Sequence, residues 1–214
     1  MKIVVFKDNI YEENAYLIKD LDVTVIDPGF NFAVINNYLK ENELPLNKIL
    51  LTHGHVDHIG ELDLFVNEYP DVKIYISEKD YPMLYDRSLN ASKLMGERKN
   101  LKDIDNNVII VHDKENIGGF NFYLTPGHTK GSGVYLYKEY LFTGDTLFRG
   151  TVGRTDLEGG KESDLIHSLK MIMESFSKKT IILPGHYSKT TLLDEIKNNQ
   201  YLKLIKGDKK WSYY

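Results

Sequence analysis

Three histidines and one aspartate stand within six consecutive positions of the stretch LTHGHVDHIG, residues 51–60. They are His53, His55, Asp57 and His58, and the apolar run 49–51 comes directly before them. Imidazole and carboxylate groups are common ligands of divalent metals. A single histidine in a loop is more often bonded to the backbone, but here five of the seven histidines of the chain lie at strand ends of one type. The stretch therefore predicts a metal site.

Four predicted strands end in the same pattern of an apolar run, a turn-forming glycine and a ligand-type side chain. The segments are ILLTHGH, FYLTPGH, YLFTGD and IILPGH, and they end at His55, His128, Asp145 and His186. Glycine before each ligand permits a tight turn or a close backbone approach. Five imidazoles and two carboxylates exceed the three protein ligands usual for one catalytic zinc, which favours two metals.

The ligand pattern resembles that of the metallo-β-lactamase superfamily. The family signature HxHxDH is met by residues 53–58, and TPGHTKGS, FTGDTLF and LPGH follow in the family's order over nearly the whole chain. The resemblance implies an α/β fold, a four-layer αββα sandwich of two mixed β-sheets. It also implies one metal on His53, His55 and His128, a second on Asp57, His58 and His186, and Asp145 bridging both.

Within the superfamily, GRTDLEGG (153–160) and PGHYSKTT (184–191) are most similar to the small glyoxalase II-like hydrolases. This likeness predicts a binuclear enzyme in which a metal-bridging hydroxide attacks the carbonyl of a small acyl thioester. Two divalent ions lower the pKa of a shared water towards ~7. Zinc is the expected metal, with iron or manganese as alternatives, and Asp57 is the expected catalytic residue for proton transfer.

Two other activities stay open at this point, a mononuclear iron dioxygenase acting on a persulfide and a lactone hydrolase. An RNA-processing nuclease is disfavoured because the net charge is −4 and the pI about 6.0, without a large basic surface. The chain has no cysteine, so any metal must use other ligands. We expect a cytoplasmic protein with a small-molecule substrate, no nucleic-acid or membrane partner, and an oligomeric state that the sequence leaves open.

Residues outside the ligand set are less specific. Arg149 and Arg154 flank the GDTLF loop and could bind a substrate carboxylate or form ordinary ion pairs. Tyr187 stands where the family usually has glycine after the last ligand, and it is a third candidate for substrate binding. Asp27 could orient a ligand imidazole or simply form the turn before Pro28. His112 and His167 are not expected to be ligands.

The alternation of apolar runs and amphipathic segments predicts a single domain, 1–214. Only 28 residues follow His186, so no separate C-terminal helical domain for glutathione is expected. Segment 80–107 is either a lid, with Tyr81, Met83, Tyr85 and Met95 facing an acyl pocket, or a solvated helical excursion. The predicted helices are 31–42, 59–69 and 163–176, and the predicted strands are 23–29, 48–55, 73–77, 108–112, 120–125, 134–137, 140–144 and 180–185.

Overall fold

The computed structural model describes residues 1–97, 101 and 104–207. The chain divides into two compact units, Met1–Val111 (unit 1) and His112–Tyr214 (unit 2). Each unit contains a mixed sheet of six strands and the helices that cover it. Two mixed sheets with flanking helices are the α/β architecture that the sequence predicts, whereas the single-domain boundary 1–214 stays a prediction.

The sheet of unit 1 follows the order of the chain, β1-β2-β3-β4-β5-β6. Neighbours are antiparallel from β1 to β3 and parallel from β3 to β6. Because β3, β4 and β5 are parallel, the residues that follow them emerge at the same edge of the sheet. The strands are β1 (Lys2–Lys7), β2 (Asn14–Lys19), β3 (Val23–Ile26), β4 (Lys48–Leu50), β5 (Lys73–Ser77) and β6 (Val108–Val111).

The helices of unit 1 bury an apolar side against this sheet. Ile35 and Leu39 are the buried residues of the first helix, and Phe65 of the third packs edge-on against Phe32 at 5.0 Å between ring centroids. The helices are α1 (Phe32–Glu41), α2 (Val56–Ile59), α3 (Leu62–Glu68) and α4 (Ser92–Met95), with 3-10 turns at Tyr81–Leu84 and Asp105–Asn107.

The predicted helix 59–69 is in fact two helices, α2 and α3, and the first of them begins at Val56, three residues earlier than predicted. The break falls at Gly60, where a Cβ would lie 2.3 Å from the ring of Phe30. Gly29 contributes backbone bonds on both sides of the break, donating to the carbonyl of His58 and accepting from the amide of Glu61. Residues 29 and 30 are distant in sequence, so the apolar periodicity of 59–69 does not predict these contacts. As a result, Asp57 lies inside α2 and not before a longer helix.

The sheet of unit 2 has the order β12-β11-β10-β9-β8-β7. Neighbours are antiparallel except β10 and β11, so β8, β10 and β11 all run in the same direction. Their carboxyl ends therefore open on one edge. The strands are β7 (Asn116–Ile117), β8 (Phe120–Leu124), β9 (Gly133–Tyr137), β10 (Tyr140–Gly144), β11 (Ile181–Pro184) and β12 (Thr190–Thr191).

Three helices complete unit 2, α5 (Glu162–Ser175), α6 (Leu192–Asn198) and α7 (Gln200–Lys206). Leu165, Leu169 and Ile172 of α5 are fully buried and lie on one face of the helix, as the predicted helix 163–176 requires. Helices α6 and α7 were not expected from the sequence. None of the helices among the described residues is long and apolar enough to span a membrane.

Candidate metal centre

The histidines of the HxHxDH stretch form a compact cluster at the carboxyl edge of the unit 1 sheet. His53 and His55 follow β4, and His58 lies in α2. All three are buried, and the His53 ring centroid lies 4.9 Å from that of His55 and 4.2 Å from that of His58. The potential ligand atoms of Asp27, His53 and His58 lie within 4.8 Å of one another. The edge thus concentrates imidazole and carboxylate donors.

A short hydrogen-bond chain fixes the orientation of His53. The hydroxyl of Thr52 donates to Asp27 Oδ2 at 2.6 Å. The hydroxyl oxygen of Thr52 also lies 3.1 Å from His53 Nδ1. A hydroxyl has one proton, so at His53 it accepts, and His53 Nδ1 carries the hydrogen. The lone pair of His53 is then on Nε2, which is the arrangement usual for imidazoles that bind a metal.

Asp27 also faces the second imidazole of the cluster. Asp27 Oδ2 lies 3.1 Å from His58 Nδ1, and Oδ1 accepts the backbone amide of Thr52 at 2.8 Å. Asp27 has a positive φ of 46°, which an aspartate tolerates better than most residues. Asp27 therefore forms the turn and also lies beside the imidazole of His58, while its role in orienting a metal ligand stays a prediction.

Glu13 is a second buried carboxylate near His58, and no sequence pattern indicated it. Its Oε1 lies 3.9 Å from His58 Nδ1, and its Oε2 accepts a hydrogen bond from Asn31 at 3.3 Å. Burial raises the pKa of Glu13 well above its ordinary value of 4.5, and the Asp27 carboxylate acts in the same direction, while His58 opposes. The cluster therefore contains a carboxyl group that resists ionisation.

Segment 80–92 braces the ligand loop from the other side. Asp80, which is fully buried, accepts the amide of Gly54 at 3.1 Å, and the carbonyl of Asn90 accepts the amide of Val56 at 3.0 Å. These two bonds hold the backbone on both sides of His55. Asp80 and Asn90 were missed as well, although an acidic residue shortly after a parallel strand is a signal that could have pointed to Asp80.

Asp57, the predicted catalytic residue, lies in the first turn of α2 and is 8% exposed. Its Oδ2 is 3.8 Å from His58 Nε2. The carboxylate thus lies next to the Nε2 edge of His58, opposite the ring nitrogen that faces Asp27. Its position suits a group that holds a proton close to a bound metal.

The three ligand-type residues of unit 2 meet although they are dispersed in sequence. Asp145 Oδ2 lies 3.5 Å from His128 Nε2 and 3.7 Å from His186 Nε2. They follow β8, β10 and β11, whose carboxyl ends share one edge. Among the described residues of this unit, the recurring strand-end pattern has therefore brought its three side chains together.

The orientation of His128 depends on the backbone. Its Nδ1 lies 2.8 Å from the carbonyl oxygen of Arg154, which can only accept, so Nδ1 carries the hydrogen and the lone pair is on Nε2. Gly153 permits this approach, because a Cβ there would lie 1.7 Å from the carbonyl oxygen of Asp145. The GRTD segment therefore supports two of the predicted ligands.

The three candidate substrate-binding residues all lie at the surface of unit 2. Arg149 is exposed, and the exposed guanidinium of Arg154 donates two hydrogen bonds of 2.7 Å to Asp156. This pair lowers the pKa of Asp156 to about 2. Tyr187 is 61% exposed, and its ring centroid lies 5.5 Å from that of Phe148. Their roles with a substrate stay predictions.

Within the described part of segment 80–107, the four proposed lid residues differ in exposure. Met83 is buried against Gly54, whereas Tyr81, Tyr85 and Met95 are partly exposed. The hydroxyls of Tyr81 and Tyr85 both donate to Asp105. Met83 thus fixes part of the segment against the ligand loop of unit 1, while the choice between a lid and a solvated excursion stays a prediction. Residues 98–100, 102 and 103 lie outside the described residues.

The donor sets fit divalent metal ions. They contain imidazoles whose Nδ1 atoms are held at Thr52 or at the carbonyl of Arg154, carboxylates beside them, and no thiolate. Nitrogen and oxygen donors of this kind suit zinc, iron and manganese. His112 and His167, which were not expected to be ligands, are both exposed, with His167 on the surface of α5.

Comparison with known proteins agrees with this description. The model of the metallo-β-lactamase superfamily matches residues 10–186. The chain is 39% identical to the probable metallo-hydrolase YqgX of Bacillus subtilis over 89% of this chain and 92% of that protein. It is 31% identical to hydroxyacylglutathione hydrolase GloC of Haemophilus influenzae, covering 94% and 98% of the two chains.

A solved structure has the same fold. TTHA1623, crystallised in a di-iron-bound form, superposes with a TM-score of 0.84 and 31% identity, covering 94% of this chain and all (100%) of that one. The predicted fold class is thereby confirmed. The chain belongs to the metallo-β-lactamase superfamily.

Proposed function

We propose that this chain is a binuclear metal-dependent hydrolase of a small acyl thioester, similar to glyoxalase II. The observation that carries the proposal is the pair of anchored imidazoles, because His53 and His128 are each held at Nδ1 and keep Nε2 for a metal. The likeness to a hydroxyacylglutathione hydrolase over nearly its whole length supports the substrate class. A cytoplasmic location remains part of the proposal.

The proposed ligands are the seven predicted residues, with zinc as the first choice. The di-iron form of TTHA1623 supports iron as the alternative. Two bound divalent cations would supply a water of lowered pKa and would polarise the substrate carbonyl. The ligands are His53, His55, Asp57, His58, His128, Asp145 and His186.

Asp57 has a further role in this proposal. Its carboxylate is buried beside His58 Nε2, so it can accept a hydrogen bond from the attacking water and take up its proton at Oδ2. The protonated carboxyl group can then donate to the departing thiolate sulfur. Asp57→Asn retains the shape of the side chain but removes this basic oxygen, so kcat should fall by about 100-fold or more.

The test is hydrolysis of S-lactoylglutathione and a panel of other thioesters by the protein with its native metals, and again after reconstitution with zinc. Metal content is measured on the same samples. His55→Ala should lose turnover and bound metal, whereas His167→Ala removes an exposed histidine and should retain both.

A preparation that holds two metals and hydrolyses no thioester would overturn the proposal. Oxygen consumption with a persulfide would then identify the dioxygenase alternative, and ring opening of a lactone would identify the other. A single iron per chain together with oxygen uptake would also exclude the binuclear site.

A further inference from the structure

Tyr187 has an unusual backbone conformation. Its φ is +65°, in the left-handed region that bulky residues rarely adopt. Of the seven non-glycine residues with positive φ in the described ranges, Tyr187 is the only aromatic one. Residues held in such conformations cluster at functional sites, where the surrounding structure maintains them. Glycine would adopt this φ without strain, whereas the tyrosine at position 187 adopts it at a cost in conformational energy.

The ring of Tyr187 lies close to a predicted ligand. It packs edge-on against Phe148 with 5.5 Å between ring centroids, and the Phe148 centroid is 6.0 Å from that of His186. Phe148 is buried, but Tyr187 remains 61% exposed. The contact therefore leaves much of the tyrosine surface open to solvent, one residue beyond His186.

The aromatic surface of Tyr187 and Phe148 suits the acyl part of a thioester better than its thiol carrier. Thiol carriers such as cysteine-containing peptides have amides and charges near the sulfur, and an uncharged aromatic surface matches them poorly. An apolar acyl chain next to the carbonyl can pack on the ring and remove apolar area from water. Because Phe148 lies close to His186, Phe148 and Tyr187 can contact substrate groups that are only a few bonds from the thioester carbonyl carbon.

We propose that Tyr187, supported by Phe148, is a specificity-determining residue that favours substrates with a planar or bulky apolar acyl group. This inference rests on the proposed thioester hydrolase function. It assigns the strained tyrosine to substrate selection and not to folding. Replacement by glycine should therefore improve stability while it weakens discrimination between acyl groups.

The experiment compares the S-phenylacetyl and S-acetyl thioesters of N-acetylcysteamine, which share one leaving group. Tyr187→Gly should lower kcat/KM for the phenylacetyl compound by about three- to tenfold, mainly through KM, and should change the acetyl compound by less than about twofold. Tyr187→Phe retains the ring and should retain the preference. Lys138→Gly is the matched control, because Lys138 also has a positive φ (55°) but lies in the β9–β10 turn, at the opposite sheet edge.

Both glycine variants should raise the thermal midpoint, but only Tyr187→Gly should alter the acyl preference. Equal preference ratios in Tyr187→Gly, Lys138→Gly and the wild type would overturn the inference and leave thioester hydrolysis intact.

A binding measurement separates this inference from the proposed function. Calorimetry of the metal-loaded protein with phenylacetate and with propionate should show tighter binding of phenylacetate, and Tyr187→Gly should abolish the difference. If the wild type hydrolyses no thioester but shows this Tyr187-dependent preference, the acyl-binding role stands and the reaction assignment fails. Equal binding of the two carboxylates by the wild type would overturn the acyl-binding role.

Discussion

In unit 1, four predicted ligands lie within six residues, and the side chains of Asp27, Thr52 and Glu13 surround their imidazoles. In unit 2, three ligands come from three separate strands, and His128 is held by a backbone carbonyl. The first arrangement depends on buried carboxylates that a point mutation can remove. The second depends on the path of the main chain, which a side-chain substitution does not remove.

This difference shows that one ligand pattern can be supported by two kinds of contact. A carboxylate that faces an imidazole fixes the orientation of the ring and raises its basicity. Because such a carboxylate is a buried charge, it needs hydrogen-bond partners of its own. A carbonyl oxygen fixes the orientation without adding a charge. The glycines differ accordingly, since Gly153 makes room for a backbone oxygen and Gly54 for the side chain of Met83.

The largest effect should come from the two glycines. Gly153→Ala would place a Cβ 1.7 Å from the carbonyl oxygen of Asp145, and the main chain must shift, so the free energy of unfolding should fall by about 3 kcal/mol or more. Gly54→Ala meets Met83 at 2.5 Å and should cost about 1–2 kcal/mol. Urea unfolding of the metal-free proteins measures both. Gly150→Ala is the opposite case, because its φ is +79° and nothing lies within 4 Å of the added Cβ, so it introduces backbone strain without a steric contact and should cost about 1 kcal/mol.

A loss below about 1 kcal/mol for Gly153→Ala would show that the contact with the carbonyl oxygen of Asp145 is unimportant. A larger loss for Gly54 than for Gly153 would reverse the comparison between the units.

The next effect concerns the contacts around the ligand imidazoles. Asp27→Asn keeps the left-handed backbone accessible but presents an amide donor to Thr52 or His58, so metal affinity should fall by about 10- to 100-fold. Arg154→Ala leaves the carbonyl that holds His128, so affinity should change by less than about threefold. Chelator competition measures both, and similar losses in the two variants would contradict the distinction.

Asp80 tests the brace on the loop of unit 1. Asp80→Leu leaves the buried amide of Gly54 without its acceptor and should lower the free energy of unfolding by about 1–3 kcal/mol. Asp80→Asn retains an oxygen acceptor and should cost less than about 1 kcal/mol. Denaturant titration of the metal-free variants measures the difference, and equal costs would show that this hydrogen bond contributes little.

The smallest effect is a pH dependence in unit 2. The Arg154 guanidinium lowers the pKa of Asp156 from 3.8 to about 2. A lowered pKa means that the pair stabilises the fold above pH 3.8, and that this contribution is lost as pH falls towards 2. Both groups are exposed, so the wild type should exceed Asp156→Asn by at most about 1 kcal/mol near neutral pH. Unfolding free energies between pH 2 and 5 check this, and a gap that widens on acidification would contradict the sign.

Much of the strand-and-ligand pattern could be predicted because it is local in sequence. Each ligand of the strand-end pattern directly follows an apolar run and a glycine, and the order of His128, Asp145 and His186 matches a known family. Helices α6 and α7 were missed, and so was the break at Gly60, which lies against the ring of Phe30, thirty residues away. Local periodicity does not contain such contacts.

By itself, the sequence determined the ligand types, their order and the family, because these depend on residue identity and short spacing. Only the tertiary structure decided which carboxylates face the imidazoles. Glu13 and Asp27 face His58, whereas Asp80 accepts the amide of Gly54, and the pairing of β2 to β5 in one sheet brings these three distant loops to a shared edge. The left-handed backbone of Tyr187 was likewise decided by the fold, because the loop after β11 fixes a φ that the residue would not adopt alone.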